Sequence, residues 1–250
     1  MPLIHIIDDD ELGRISVYTH SNSRKISIRK SPDKYFSFKA VIPSEKYLDN
    51  LKELIKRERK SLKALHQEIT KDHVDETFAI DSDLFKLRMK LEADGGREHI
   101  RRDADGTFIL YYNENTDFDD VYMQMGIEDL VIRVMRYHAN NVLPKIIMEL
   151  ANAMGAKVTN IKITKARSRW GSCSSTGTIS LSCFLVTLPV DLIKFVIIHE
   201  LSHTFEMNHS SRFHELVDRL TGGREKDFEE RLKQYHTNIY SASNRYRSEK

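Results

Sequence analysis

Apolar and polar positions alternate with a period of two over residues 14–19, 25–29 and 35–42, and turn formers fill residues 20–23 and 31–34. That spacing predicts three strands of a small antiparallel sheet. At Pro43 and Ser44 the period changes. Leu51, Leu54, Ile55, Leu62, Leu65 and Ile69 recur at helical spacing, which predicts a helix to about residue 69 whose lysines, arginines and glutamates form a solvated face. Strands resume over residues 77–112, with Asp105 and Gly106 supplying a hairpin turn.

Asparagine and acidic residues then crowd residues 113–120, a boundary that divides the chain into an N-terminal α+β region, 1–115, and a second domain, 116–250. Residues 121–154 read as helix, kinked or divided by Pro144 and ended by Gly155. A strand over 158–165 follows, and a turn at residues 174–177 joins two further short strands. The second, over 178–183, runs toward the next helix and is expected to rim a cleft where an extended peptide adds by backbone hydrogen bonds. Residues 192–198 are apolar on every side except Lys194, the pattern of a helix buried all round. Ser210 or Ser211 then caps a helix whose apolar face is Phe213, Leu216, Val217 and Leu220. After Gly222 and Gly223, a last helix from 226 to about 240 packs through Phe228, Leu232 and Tyr235, and the polar end to residue 250 frays. No internal repeat or low-complexity tract stands out. The fold class is α+β.

Composition narrows the partners. The 250 residues are 40% hydrophobic, enough for a proper core, while Lys+Arg 39 against Asp+Glu 37 leaves a net charge of +2. No overall field recruits nucleic acid or an acidic membrane. The basic cluster Arg97, Arg101 and Arg102 reads as a solvent-exposed strand edge. The start of the chain lacks the pattern of a signal peptide, and no apolar run spans a bilayer. Cys173 and Cys183 read as reduced thiols of a cytoplasmic protein.

The chemistry gathers in residues 188–220. His199, Glu200 and His203 stand in the order H-E-x-x-H on a helix, which sets both imidazoles on one face one turn apart with the carboxylate beside them. Neutral imidazoles hold a catalytic zinc, and a carboxylate that does not bind it takes a proton from the attacking water. Burying such groups is costly unless they are paired or coordinated. A third ligand is needed, and His209 is favoured by its loop position. The helix is expected to end near residues 205–206, with Asn208 in the left-handed conformation swinging His209 back. Glu206, His214, Glu215, Glu225 and Glu229 are the alternatives. Glu206 also stands where the metzincin pattern has glycine, which argues against that group.

Residues 167–173, R-S-R-W-G-S-C, then H-E-L-S-H, Asn208-His209-Ser210 and Phe213 resemble the YgjP-like metal-dependent hydrolase family. The likeness covers the C-terminal half closely and the N-terminal half more loosely. It implies a zincin-like metallopeptidase core, with His199, His203 and His209 as metal ligands and Glu200 as catalytic acid/base. Arg167, Arg169 and Trp170 match its other motif. The chain departs from similar sequences at Ser182-Cys183, where asparagine and tryptophan are usual. A nucleoside-triphosphate pyrophosphatase activity attributed to some relatives keeps nucleotide beside peptide or protein as substrate.

Arg167 and Arg169 alternate, so on a strand both share one face with Trp170 opposite. They bind phosphate or carboxylate, or they pair with acidic residues and brace the cleft while Trp170 fills the core; the bracing role is favoured because a single tryptophan is usually packed. With His214 they are the candidates for binding substrate and stabilising the oxyanion. The expected activity is zinc-dependent hydrolysis, peptidase-like, by a water that Glu200 deprotonates. The rivals are nucleotide phosphoanhydride hydrolysis, with the arginines gripping phosphates, and a nucleic-acid-associated module with structural zinc. Oligomeric state leaves no trace in the sequence.

Overall fold

The structure is a computed structural model describing residues 1–31, 36–70, 73–93 and 96–240, with the backbone alone for 67–70. It divides into two compact units, residues 1–73 with 118–125, and residues 74–117 with 126–250.

In the first unit β1 (Leu3–Asp9), β2 (Gly13–Thr19), β3 (Ser27–Lys30) and β4 (Phe38–Ile42) form a sheet in the order β1-β2-β4-β3. The outer pairs are antiparallel, as expected, but the central pair β2–β4 is parallel, with Ile15 opposite Phe38. β1 comes from the N-terminal apolar run. It turns into β2 because the Asp9 carboxylate accepts the backbone N–H groups of Glu11 and Leu12, and because Gly13 takes φ +68. The expected turn at residues 31–34 and the start of the expected third strand lie largely outside the described residues. The long helix predicted to residue 69 is two, α1 (Leu48–Arg57) and α2 (Arg59–Thr70), broken at Glu58. Leu51, Ile55 and Leu62 close over Leu12, Ile15, Val17, Phe38, Ala40 and Ile42, each contributing about 1.5–3 kcal/mol if fully buried.

The second unit repeats that sheet. β5 (Ile80–Asp81), β6 (Lys86–Leu91), β7 (His99–Arg102) and β8 (Phe108–Tyr112) take the order β5-β6-β8-β7, again antiparallel, parallel, antiparallel. The predicted hairpin joins β7 to β8 through Gly106 at φ +91. Leu87 stands opposite Phe108, as Ile15 does opposite Phe38, and Ile100-Arg101-Arg102 occupies the place of Ile28-Arg29-Lys30. Each phenylalanine meets a histidine of a later helix: Phe38 and His66 have ring centroids 6.2 Å apart, Phe108 and His138 5.4 Å. An internal repeat is therefore present, carried by strand pairing rather than by identity.

α3 (Val121–Met154) runs 34 residues, undivided by Pro144. From Ile127 every fourth residue to Ala151 is buried, a single apolar ridge that holds the helix against its neighbours whatever the local cost of proline. Gly155 at φ +70 ends it, and Ala156 donates back to the Ala151 carbonyl at 2.9 Å. Next come β9 (Asn160–Thr164), β10 (Gly171–Cys173) and β11 (Thr178–Ser182), in the order β10-β11-β9. β11 is therefore the central strand, hydrogen-bonded on both sides, and the sheet's edges belong to β10 and β9. The expectation that β11 offers its edge to a peptide is corrected accordingly.

Three helices follow, α4 (Val190–Ser202), α5 (Ser211–Leu220) and α6 (Glu225–Leu232). α4 buries Leu192, Ile193, Phe195, Val196, Ile197 and Leu201 while Lys194 stays exposed, as its pattern predicts. Phe195 stacks on Phe228 of α6 at 5.2 Å. α6 is shorter than expected, and the polar end beyond residue 240 lies outside the described residues. No helix among the described residues is long and apolar enough to cross a membrane.

Candidate metal centre

α4 ends at Ser202 rather than near residue 205, because the Ser202 hydroxyl donates to the Ile198 carbonyl while Thr204, Phe205 and Glu206 fold back onto the Leu201 and Ser202 carbonyls. His203, at φ −65 and ψ −15, keeps helical geometry and the same face as His199. The tight turn itself reverses the chain toward His209. Asn208 does not take the expected left-handed conformation, since no described residue other than glycine has positive φ. Ser210 caps α5, accepting the Phe213 N–H at 3.4 Å. Phe213, fully buried, then lies under all three imidazoles, with ring centroids 4.9, 4.5 and 4.8 Å from His199, His203 and His209. Its spacing in the sequence marks only the apolar face of a helix, so this supporting role was not legible there.

His199, His203 and His209 offer ring nitrogens that all lie within 4.8 Å of one another. His209 Nε2 is 3.1 Å from His199 Nε2, close to the roughly 3.3 Å edge of a tetrahedron built on Zn–N bonds of about 2.0–2.1 Å. Burial, followed by the other histidines, pushes His199 down to about 4, so its ring is neutral. Burial also lowers His203, whose Nδ1 donates to the Glu206 carbonyl at 3.1 Å and leaves the Nε2 lone pair free. Converging imidazoles, two of them favoured neutral by burial and one of these oriented from behind, fit a divalent metal ion.

None of the alternative ligands belongs to this cluster among the described residues. Glu206 acts through its backbone carbonyl. His214 and Glu225 are committed to each other, Nδ1 to Oε1 at 2.8 Å, with Glu225 buried and His214 half-exposed. Glu215 and Glu229 also stand apart.

Glu200 is buried beside the histidines, and burial pushes its carboxyl up to about 7 against the pull of the Arg169 charge. It lies against Gly171 of β10, where a Cβ would come within 2.7 Å of its Oε1 and Cγ. Arg167 and Arg169 occupy a bend before β10 rather than a strand, so they do not share a strand face. Arg167 donates to the buried Glu128 of α3 at 2.6 Å, the bracing role, whereas Arg169 remains exposed. Trp170 is half-buried instead of filling the core, and its carbonyl accepts the Ser182 N–H at 2.8 Å.

Helix, turn and cap thus bring three imidazoles into one cluster of a geometry fit to hold a metal ion, with the Glu200 carboxyl beside it. The sequence model of the YgjP-like metallopeptidase domain matches residues 24–235, and the chain belongs to that family. Membership makes it a metal-dependent hydrolase and implies a divalent metal. No curated protein matches the chain. Among solved structures it is similar to the metallopeptidase zymogen of Pyrococcus abyssi abylysin, at 23% identity and a TM-score of 0.34 over 36% of this chain and 91% of that one.

Proposed function

We propose that the chain is a zinc-dependent peptidase in which His199, His203 and His209 hold the ion and Glu200 moves the proton, with residues 116–250 as the catalytic domain. The observation that carries this reading is the convergence of three imidazoles, two of them held neutral by burial, beside a buried carboxyl raised to about 7. A bound zinc ion supplies Lewis acidity toward the scissile carbonyl and makes the attacking water more acidic. Glu200, titrating near neutrality, accepts the water proton and returns it to the leaving nitrogen. The free edge of β10 pairs with an extended peptide backbone beside that carboxylate. His214, its Nδ1 fixed by Glu225, presents the rest of its ring as a donor toward developing negative charge, and exposed Arg169 adds a positive charge.

Peptide is favoured over nucleoside triphosphate because Arg167 is engaged with Glu128, leaving Arg169 alone of the pair to meet phosphates. A structural zinc in a nucleic-acid module is disfavoured because three protein donors leave a coordination position open. The test compares zinc-loaded wild type with Glu200→Gln against unfolded proteins, peptide libraries and nucleoside triphosphates. Zinc content by elemental analysis should be unchanged, while turnover of peptide or protein falls by about two or more orders of magnitude. Wild-type turnover by Glu200→Gln would remove the role assigned to that residue, and turnover of triphosphates alone would overturn the peptidase.

A further inference from the structure

A groove of about 420 Å³ opens where the end of α3, the turn after α4 and one stripe of α5 come together. Its apolar surface includes Met154, Phe205 and Leu216, and Phe205 is left 49% exposed. Arg212 and Arg219 line the same groove. At i, i+4 and i+7, Arg212, Leu216 and Arg219 make a single stripe along α5. Neither arginine has a carboxylate within ion-pair distance among the described residues, whereas Lys52, Lys56 and Arg57 of α1 are all paired with carboxylates. The lining holds one carboxylate, Glu206, whose backbone carbonyl orients His203.

We infer that this groove is an exosite for an extended peptide segment carrying two acidic residues three positions apart with an apolar residue between them. The spacing follows from the two geometries. Seven residues of α-helix place the Cα atoms of Arg212 and Arg219 about 10 Å apart. In a polyproline-like segment, residues three apart face the same side about 9 Å apart, while those between point elsewhere. Two carboxylates therefore meet the two guanidiniums by charge-assisted hydrogen bonds, while an intervening apolar side chain, turned about 120° from them, meets Phe205 and Met154 on the other walls of the groove. The volume suits such a segment, and loss of water from the exposed phenylalanine adds to affinity. Glu206 disfavours a third acidic residue in the middle. The exosite names the class of substrate for the peptidase proposed above, and rests on that reading only for calling the bound peptide a substrate.

The test uses the full-length, zinc-loaded Glu200→Gln protein, so that nothing is cut, and fluorescein-labelled peptides read by anisotropy. The acidic probe is Gly-Glu-Leu-Ala-Glu-Gly; its counterparts replace both glutamates by lysine, or leucine by serine. The acidic probe should bind, the lysine probe should not, and the serine probe should bind at least fivefold more weakly. Arg219→Glu should weaken the acidic probe tenfold or more, and Arg212→Glu with Arg219→Glu should transfer preference to the lysine probe. Circular dichroism and zinc content matching the parent establish that each variant is folded. Equal binding of acidic and lysine probes, indifference to both charge reversals, or no binding at millimolar peptide overturns the exosite. Binding as expected by a protein whose wild type cuts no peptide would keep the exosite and sink the peptidase.

Discussion

Two regions of this chain are built on the same frame and end differently. Strands β1–β4 and β5–β8 pair in the same order and the same directions, with Ile15 opposite Phe38 in one and Leu87 opposite Phe108 in the other. Beyond the fourth strand they diverge. The first continues into two short helices with an apolar stripe and charged pairs such as Lys52–Asp49 and Lys56–Glu53 on the outside. The second continues into the apolar ridge of α3 and then into β9–β11 and α4–α6, and the three clustered histidines lie in α4 and in the turn that leads from it to α5. Among the described residues neither frame holds a cluster of side chains fit to bind a metal. What differs is the length of chain appended to the frame, and the three clustered histidines lie in that addition.

The most direct way to break the equivalence of the frames is through their phenylalanines. Phe38→Ala and Phe108→Ala should each cost about 3–5 kcal/mol within their own region, since both rings are buried. Hydrogen exchange read by mass spectrometry on fragments of residues 1–73 and 74–112 separates the two losses. A large cost in one region with none in the other would show that the matched registers do not do matched work.

The metal should act on one region only. Zinc at a hundredfold excess over its dissociation constant adds about 2.7 kcal/mol to whatever it binds. That gain should appear as slower exchange in residues 190–220 and be absent from residues 1–73. His209→Ala should abolish it together with most of the bound zinc by elemental analysis, whereas His214→Ala should keep both.

The smallest effect concerns acid. Burial lowers both His66 and His138, with the Asp9 charge opposing the shift at His66, and the Leu84 carbonyl opposing and Arg102 assisting it at His138. The unfolded chain therefore binds protons first as the pH drops below about 6.5, and stability that is complete above that value is lost toward the lower folded pKa. Between pH 7 and pH 5 the fragment 74–112 should lose exchange protection, and His138→Gln should flatten that loss. Acid sensitivity unchanged by His138→Gln would place its origin elsewhere.

Where local patterns decide the structure, the sequence was legible. The apolar run before His199 predicts α4, Ser210 or Ser211 the cap of α5, Gly155 the end of α3 and Gly106 the turn of a hairpin, and each is found, with Ser210 as the cap. Contacts between distant residues were not legible. Nothing local tells β2 to run parallel to β4, or places β11 between two neighbours, because those pairings depend on what the intervening chain leaves free. The two frames share too few residue identities for a repeat to show until the registers align them. In the site, H-E-x-x-H needed only helical periodicity. The turn carrying His209 depends on backbone bonds from Thr204, Phe205 and Glu206, which no side chain announces. Arg167 finds Glu128 39 positions away, beyond the reach of any spacing rule.

Gly171 changes how variants of this protein should be interpreted. It carries no functional group, ligates nothing and does not take a left-handed backbone, so a substitution table scores alanine there as mild. Yet the methyl that alanine adds would come within 2.7 Å of the Glu200 Cγ and Oε1, so the Glu200 side chain would have to shift. A survey of all single substitutions should therefore rank this position with Glu200 itself, and a reader of that survey would assign it a chemical role that a glycine, with no side-chain group, does not supply. Its intolerance records the outline of a neighbour. Where a buried carboxyl is packed against bare backbone, sensitivity to mutation maps the space that a side chain occupies as well as the groups that react.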